Sequence, residues 1–399
     1  MEMSVYRPKL LAASIVLVLA LGMLASTIYV ASVPEIAERL ATSVGVVQLT
    51  FVGYLLALAI GGLLMGPLCD RYGRKTVLVP GLLLFVFGSL ACAVSPTIEF
   101  LIMARVLQGI GAAAGSVVGR AVICDAYGDG AAARVLASAG FAITLVQGLA
   151  PALGGQFQFW FGWRANFLAT TVLGLLAVAL IARILPRDRE RPLRPKSRYG
   201  GFSQLLSTRQ FLGYATLATG TRASFHIFAA GAPAVLIAAL GVAPEIYGLY
   251  VLLPPGGFLV GSFLCATWRV GGERLIIIGG VLLIVAGVAM VVLASVWPSP
   301  LAIVIPMILV CCASGLVTPC ATAASLRADP ALVGAASALV SFLQLAGAAL
   351  GTAVLSAFAT GPIGLAIVIA CSGAFGVTAF LALTARSAVL PLIEASRAR

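Results

Sequence analysis

Few side chains in this chain can do chemistry, and their spacing limits which chemistry that is. Arg222 and His226 stand four residues apart, so on a helix they share a face. Arg105 and Gln108 are spaced to do the same. Asp70-Arg71-Tyr72-Gly73-Arg74-Lys75 is a charged turn with a glycine at its centre. Asp125 and Asp129, between Arg120 and Arg134, have the outline of an acidic pair that holds magnesium against a pyrophosphate. That chemistry needs a second acidic cluster to bracket the pyrophosphate, and the sequence has none. One histidine, eight cysteines and no C-x-x-C pair argue against a zinc site. The cysteines read as small apolar fillers. No catalytic residue, metal or cofactor is expected, and the chain is expected not to be an enzyme.

The elements that position these residues are set by composition. Of 399 residues, 61% are hydrophobic and 10% charged, where a soluble domain carries about 25% charged residues. Runs 10–34, 40–69, 76–98, 135–163, 165–182 and 246–268 lack Asp, Glu, Lys and Arg. Each can cross a bilayer core, which takes about 20 apolar residues. Runs 275–326 and 330–385 are double length and break at Pro298-Ser299-Pro300 and Thr360-Gly361-Pro362, where Pro and Gly favour turns. Two more spans carry one charge each, Arg105 and Arg222. The pattern predicts an all-α membrane protein of twelve transmembrane helices.

The net charge of +12 follows from topology. With the N-terminus inside, Arg7, Lys9, Arg71, Arg74, Lys75, Arg120, Arg134 and the 183–209 segment all fall in cytoplasmic loops, whereas Glu35, Glu38, Glu99 and Glu245 fall outside. That is the positive-inside rule, with both termini cytoplasmic. No nucleic-acid partner is implied. All carboxylates are read as lying in termini or loops.

Residues 183–209 hold eight basic residues, two acidic residues and three prolines, and read as a cytoplasmic linker. The expected organisation is a six-helix half over 1–185, a basic linker over 186–209 and a second six-helix half over 210–399. Two equal hydrophobic halves are what a duplicated transporter looks like. Gly62-x3-Gly66, Gly111-x3-Gly115-x3-Gly119 and Gly347-x3-Gly351 are spaced to let helix backbones approach closely. Pro151, Pro233, Pro254, Pro255, Pro306 and Pro319 fall inside spans and predict bends.

Several stretches, in chain order, resemble the major facilitator superfamily. Gly66-Pro67-Leu68-Cys69-Asp70-Arg71-Tyr72-Gly73-Arg74-Lys75 is similar to its signature loop. Leu101-x3-Arg105-x2-Gln108-Gly109-x-Gly111 is similar to its fourth-helix motif. Pro151-Ala152-Leu153-Gly154-Gly155 is similar to its antiporter motif, with Ala150 where Gly usually precedes the Pro. Together with Val47-Gln48-Leu49-Thr50, Trp163-Arg164-x-x-Phe167, Ala232-Pro233 and Gly315-Leu316-x2-Pro319, these resemble the bicyclomycin/chloramphenicol-resistance branch of drug:proton antiporters. The resemblance implies a multi-pass protein of the bacterial inner membrane, expected to act as a monomer on a small-molecule substrate, with protons as the coupling ion. It also implies that Gly66, Asp70, Arg71, Gly73 and Arg74 form a conformational latch.

The departures from that branch are informative. Its first span usually carries an Asp; aligned on Tyr29 and Pro34, that position here is Thr27. Span seven holds Arg222 and His226 where relatives have apolar or aromatic residues. Starting near residue 211, Arg222 lies roughly 17 Å into the membrane. An arginine there costs about 2.5–3.5 kcal/mol on insertion scales, so it should face a cavity; the alternative is that it bonds backbone carbonyls while His226 packs. The candidate substrate residues are Arg222, His226, Thr27, Tyr29, Arg105 and Gln344, a positive field suited to anionic or polar compounds. Both arginines stay protonated at any working pH. His226, with a reference pKa near 6.5, and Asp70 are therefore the candidates for proton coupling.

Overall fold

The computed structural model describes residues 8–186, 201–268, 270–327, 329, 332–358 and 361–397. Among them every element is helical, and twelve helices are long and apolar enough to cross a membrane. Both double-length runs divide where expected, into Gly272–Val296 and Pro300–Arg327, and into Val333–Ala357 and Pro362–Thr384. The chain forms two compact units: Met1–Ser197 with Gly241–Leu252, and Arg198–Leu240 with Leu253–Arg399. Most of the basic linker, residues 187–200, lies outside the described residues.

In the first unit, α1 (Pro8–Thr27) ends in mid-span. A 3-10 turn over Val30–Ser32 and the short α2 (Val33–Arg39) complete the crossing. Next come α3 (Val44–Tyr72) and α4 (Arg74–Ala93). α5 runs from Ile98 to Phe161 and α6 from Arg164 to Ile184. Ser43 and Thr97 accept the Val46 and Phe100 amides at 3.3 Å, so each caps the helix it precedes. Straight, the 64 residues of α5 would reach about 96 Å. Instead Arg105 and Gln147 touch α1 at Ala25 and Met23. The run therefore folds back between its two spans, Ile98–Tyr127 and Ser138–Phe161.

The second unit contains α7 (Gly201–Ser207), docked through Leu205 onto Phe211 and Leu332, and α8 (Arg209–Ala232). α8 passes into a π-helical segment, Pro233–Ala239. Thereafter come α9 (Pro244–Thr267), which belongs to this unit from Leu253 onward, α10 (Gly272–Val296) and α11 (Pro300–Arg327). The unit closes with α12 (Val333–Phe358) and α13 (Pro362–Arg397). Pro233 lacks an N–H to donate and stands where α8 widens.

The glycine stripes divide into two kinds. A Cβ on Gly111 would lie 2.3 Å from the Phe85 amide nitrogen, and Cβ atoms on Gly347 and Gly351 would each come within 2.4 Å of Thr219 and Ile227. Those stripes are close-packing seams. At Gly62 and Gly66 a Cβ would meet nothing within 4 Å, so no backbone packs there within the described structure, contrary to the reading from spacing.

Candidate functional site

Arg105 is the most deeply enclosed charge in the first unit, with no exposed surface. Its Nη1 donates to the Ala25 carbonyl at 3.0 Å and to the Gln108 side-chain oxygen. The Gln108 amide then donates to Ser89 at 2.7 Å. Ala25 lies in the last turn of α1, where carbonyls lose their intrahelical donors, so the guanidinium completes the helix end. Its Nε and Nη2 have no hydrogen-bond partner within bonding geometry among the described residues. Aromatic rings take that place: the Tyr29, Tyr54 and Phe167 centroids lie 4.5, 4.2 and 5.9 Å from the guanidinium carbon. Cation–π contacts of this desolvated kind contribute up to about 2 kcal/mol each, which offsets part of the burial cost.

The break in α1 is fixed by polar contacts on both sides. Thr27 is buried and donates to its own helix at Met23 O, 3.1 Å away. The Tyr29 hydroxyl meets Thr50 of α3 at 2.8 Å. Asn166 of α6 donates to Ser32 at 3.0 Å and to Gly154 O at 3.3 Å. Gly154 is the point of nearest approach, since a Cβ there would sit 1.6 Å from Ile28 O. Only glycine fits that position. Pro151 and Gly155 lie within the same stretch of α5, and both are buried. Beyond Gly154 along α5, Gly162 turns at φ 77° against Glu35. Glu35, expected in a loop, lies on α2 with Oε2 buried and without a hydrogen-bond partner among the described residues. The break at Ile28–Tyr29 has drawn the helix on past the point where the charge-free run ends.

In the second unit, α8 is enclosed on three successive sides. Gly347 of α12 packs on Thr219, and Ser372 of α13 donates to Gly220 O at 3.2 Å. Thr221 shares a 3.2 Å hydrogen bond with Thr318 of α11. Each residue turns about 100° around the helix, so Arg222 occupies the fourth side and His226 lies next to it. Arg222 is half-buried and His226 buried. His226 Nδ1 lies 3.1 Å from Arg222 O. A carbonyl only accepts, so Nδ1 carries a proton. The Arg222 charge acts electrostatically on His226 and on Cys311 of α11. Gln344, on α12, is half-buried.

The signature turn is a junction of four helices. Gly73 takes φ 96°, a conformation open to glycine, and so ends α3 and starts α4 without a loop. Arg74 pairs with Asp70 at 3.2 Å and with Asp125 of α5 at 3.1 Å, and donates to Cys69 Sγ at 2.8 Å. Lys75 reaches Ala182 O and Leu185 O at 2.6 and 2.5 Å, capping the end of α6. Arg71 lies over the Tyr72 ring. Asp125 is thus the ion-pair partner of Arg74; the Asp129 side chain lies outside the described residues.

Sequence reading missed Tyr54, Phe167 and Asn166 as parts of these sites. Tyr54 follows Thr50 by one turn and Asn166 stands two residues after Arg164, but nothing in apolar spans marks which aromatic ring will face a cation on another helix.

Comparison with known proteins bears on the family and the fold. The family profile described as Major Facilitator Superfamily matches residues 15–352. The uncharacterized MFS-type transporter YdgK of Bacillus subtilis is 31% identical over 254 residues, spanning 61% of this chain and 63% of that protein. Multidrug resistance protein D of Escherichia coli is 27% identical over 337 residues, 83% of this chain and 84% of that protein. Among solved structures, a bacterial homolog of the human lysosomal transporter Spinster superposes with TM-score 0.74 at 15% identity, over 97% of this chain and 98% of its own. A D-xylose-proton symporter superposes with TM-score 0.71 at 18% identity, over 93% and 97%. Both share the fold.

Proposed function

The chain belongs to the Major Facilitator Superfamily, a family of transporters, and is a multi-pass protein of the bacterial inner membrane; from that premise we propose that it exports small amphipathic compounds, antibiotics among them, by proton-coupled alternating access. The observation that carries this reading is the match to Multidrug resistance protein D along 84% of that protein's length. The shorter match to YdgK spans less than two thirds of that relative and adds only the family. The intact turn at Asp70, Gly73 and Arg74, the Gly154 contact, the break after α1 and the π-helical segment after α8 supply the parts for rocking. A ligand shifts such an equilibrium only by binding one state better than the other.

A second reading is favoured by Arg222. A half-buried guanidinium near mid-span on α8, with His226 one turn further on, suits export of an anionic metabolite or siderophore. In this reading Thr27, Tyr29 and Arg105 shape the first unit, while Arg222, His226 and Gln344 meet substrate. His226 or Asp70 carries the coupling proton.

A resistance and accumulation screen in a pump-deleted host, with cationic, neutral and anionic compounds, separates these readings. Exporters of amphipathic drugs lower accumulation of neutral or cationic compounds; the second reading lowers anions and spares ethidium. No difference for any compound overturns both. Proton flux in proteoliposomes assigns the coupling group. Loss in His226→Ala alone points to the histidine, and loss in Asp70→Asn alone to the turn.

A further inference from the structure

The cytoplasmic end of the second unit holds two thiols that nothing above uses. Cys265 Sγ of α9 and Cys320 Sγ of α11 lie 3.5 Å apart, and both side chains are partly exposed. They stand at the end of the tightest helix seam in that unit. A Cβ on Gly257 would lie 2.2 Å from Ile308 O, one on Gly261 2.1 Å from Cys312 O, and one on Gly315 2.4 Å from Phe258 O. Gly257, Gly261 and Cys265 recur every four residues, so the cysteine continues the same stripe one turn further. The backbones are therefore held close where the sulfurs meet. A disulfide bond is about 2.05 Å long, so closing the gap takes about 1.5 Å shared between two rotatable side chains.

We propose that Cys265 and Cys320 form a reversible thiol–disulfide site that pins α9 to α11 when peroxide reaches the cell interior. One thiolate attacks hydrogen peroxide, releasing hydroxide that leaves as water and becoming a sulfenic acid; the second thiolate displaces that hydroxyl as a second water. Two thiols are oxidised to one disulfide, and one peroxide is reduced to two waters. The cytoplasmic thiol pool reverses the bridge by exchange. α11 also holds α8 through Thr318 and Thr221, on another side from Cys320. A closed bridge thus fixes α9 against the helix that neighbours Arg222.

The test uses the full chain in isolated membranes. Samples treated with hydrogen peroxide are blocked with N-ethylmaleimide, then reduced, and the thiols released are counted by the mass added with a maleimide-polyethylene glycol. The expected result is two tags on the wild type, reversed by prior dithiothreitol, and none from this pair in Cys265→Ser or Cys320→Ser. Peroxide should also raise the unfolding temperature of the purified wild type and leave both serine variants unchanged. Absence of tags on folded wild type, or the same tags on Cys265→Ser, overturns the proposal. So does a bridge that leaves the unfolding temperature unmoved, since α9 and α11 would then not be pinned. These readouts hold whether or not the chain exports drugs.

Discussion

The two units each place one arginine within the membrane, and they treat it in opposite ways. In the first, Arg105 has no exposed surface, three ring faces around it and hydrogen bonds to Ala25 O and Gln108. In the second, Arg222 is half-buried, and its charge acts on His226 and on Cys311 of α11. Arg105 is compensated by its own unit and so acts on the fold. Arg222 is a residue that the second reading proposed above assigns to substrate. The same residue type is enclosed with its partners in one unit and half-buried in the other.

The contrast can be broken most severely at Arg105. Arg105→Ala removes the donor to Ala25 O and Gln108 and leaves a cavity among the rings, so the expected loss is roughly 2–5 kcal/mol. Folded yield and unfolding temperature in detergent should fall sharply, and Arg105→Lys should recover only part because it lacks the planar fork. A well-folded, fully stable Arg105→Ala would remove the structural role. Gly154→Ala should destabilise comparably, because its Cβ meets the backbone oxygen of Ile28 rather than a side chain that can turn away.

Arg222→Ala is expected to leave unfolding temperature near wild type. A lost charge-assisted hydrogen bond of about 1.5–3 kcal/mol corresponds to roughly 10- to 100-fold weaker apparent affinity for anionic substrates, measured as accumulation against concentration. An Arg222→Ala protein that aggregates, or that handles anions normally, would erase the difference between the units. Asp70→Asn sits lower on the stability scale. The Asp70–Arg74 pair is largely exposed on the aspartate side, and such pairs contribute at most about 1 kcal/mol. Folded yield should hold while transport falls; wild-type efflux would remove the latch role. Least of all, Gly66→Ala should cost almost nothing, since its Cβ would meet open space.

Periodicity and charge placement made the helices legible. Twelve spans, the two proline–glycine breaks and the charged turn at Asp70–Lys75 needed only the rule that a bilayer excludes charge and unsatisfied backbone. The turn at Gly73 was readable because its chemistry is local. The surroundings of Arg105 were not, because Tyr29, Tyr54 and Phe167 come from α3, α6 and the segment after α1.

Sequence by itself determined how many times the chain crosses, which loops lie inside and that Arg222 shares a face with His226. All of these follow from hydropathy, charge and the helical repeat, which act along the chain. Tertiary structure alone decided which arginine is enclosed, that α1 breaks at Ile28–Tyr29, that Arg74 takes Asp125, that Gly154 is a contact and Gly66 is not, and that Cys265 meets Cys320. Each depends on which helices are neighbours, and in uniformly apolar spans the one-dimensional pattern carries little information about neighbours because every face is greasy enough to be buried.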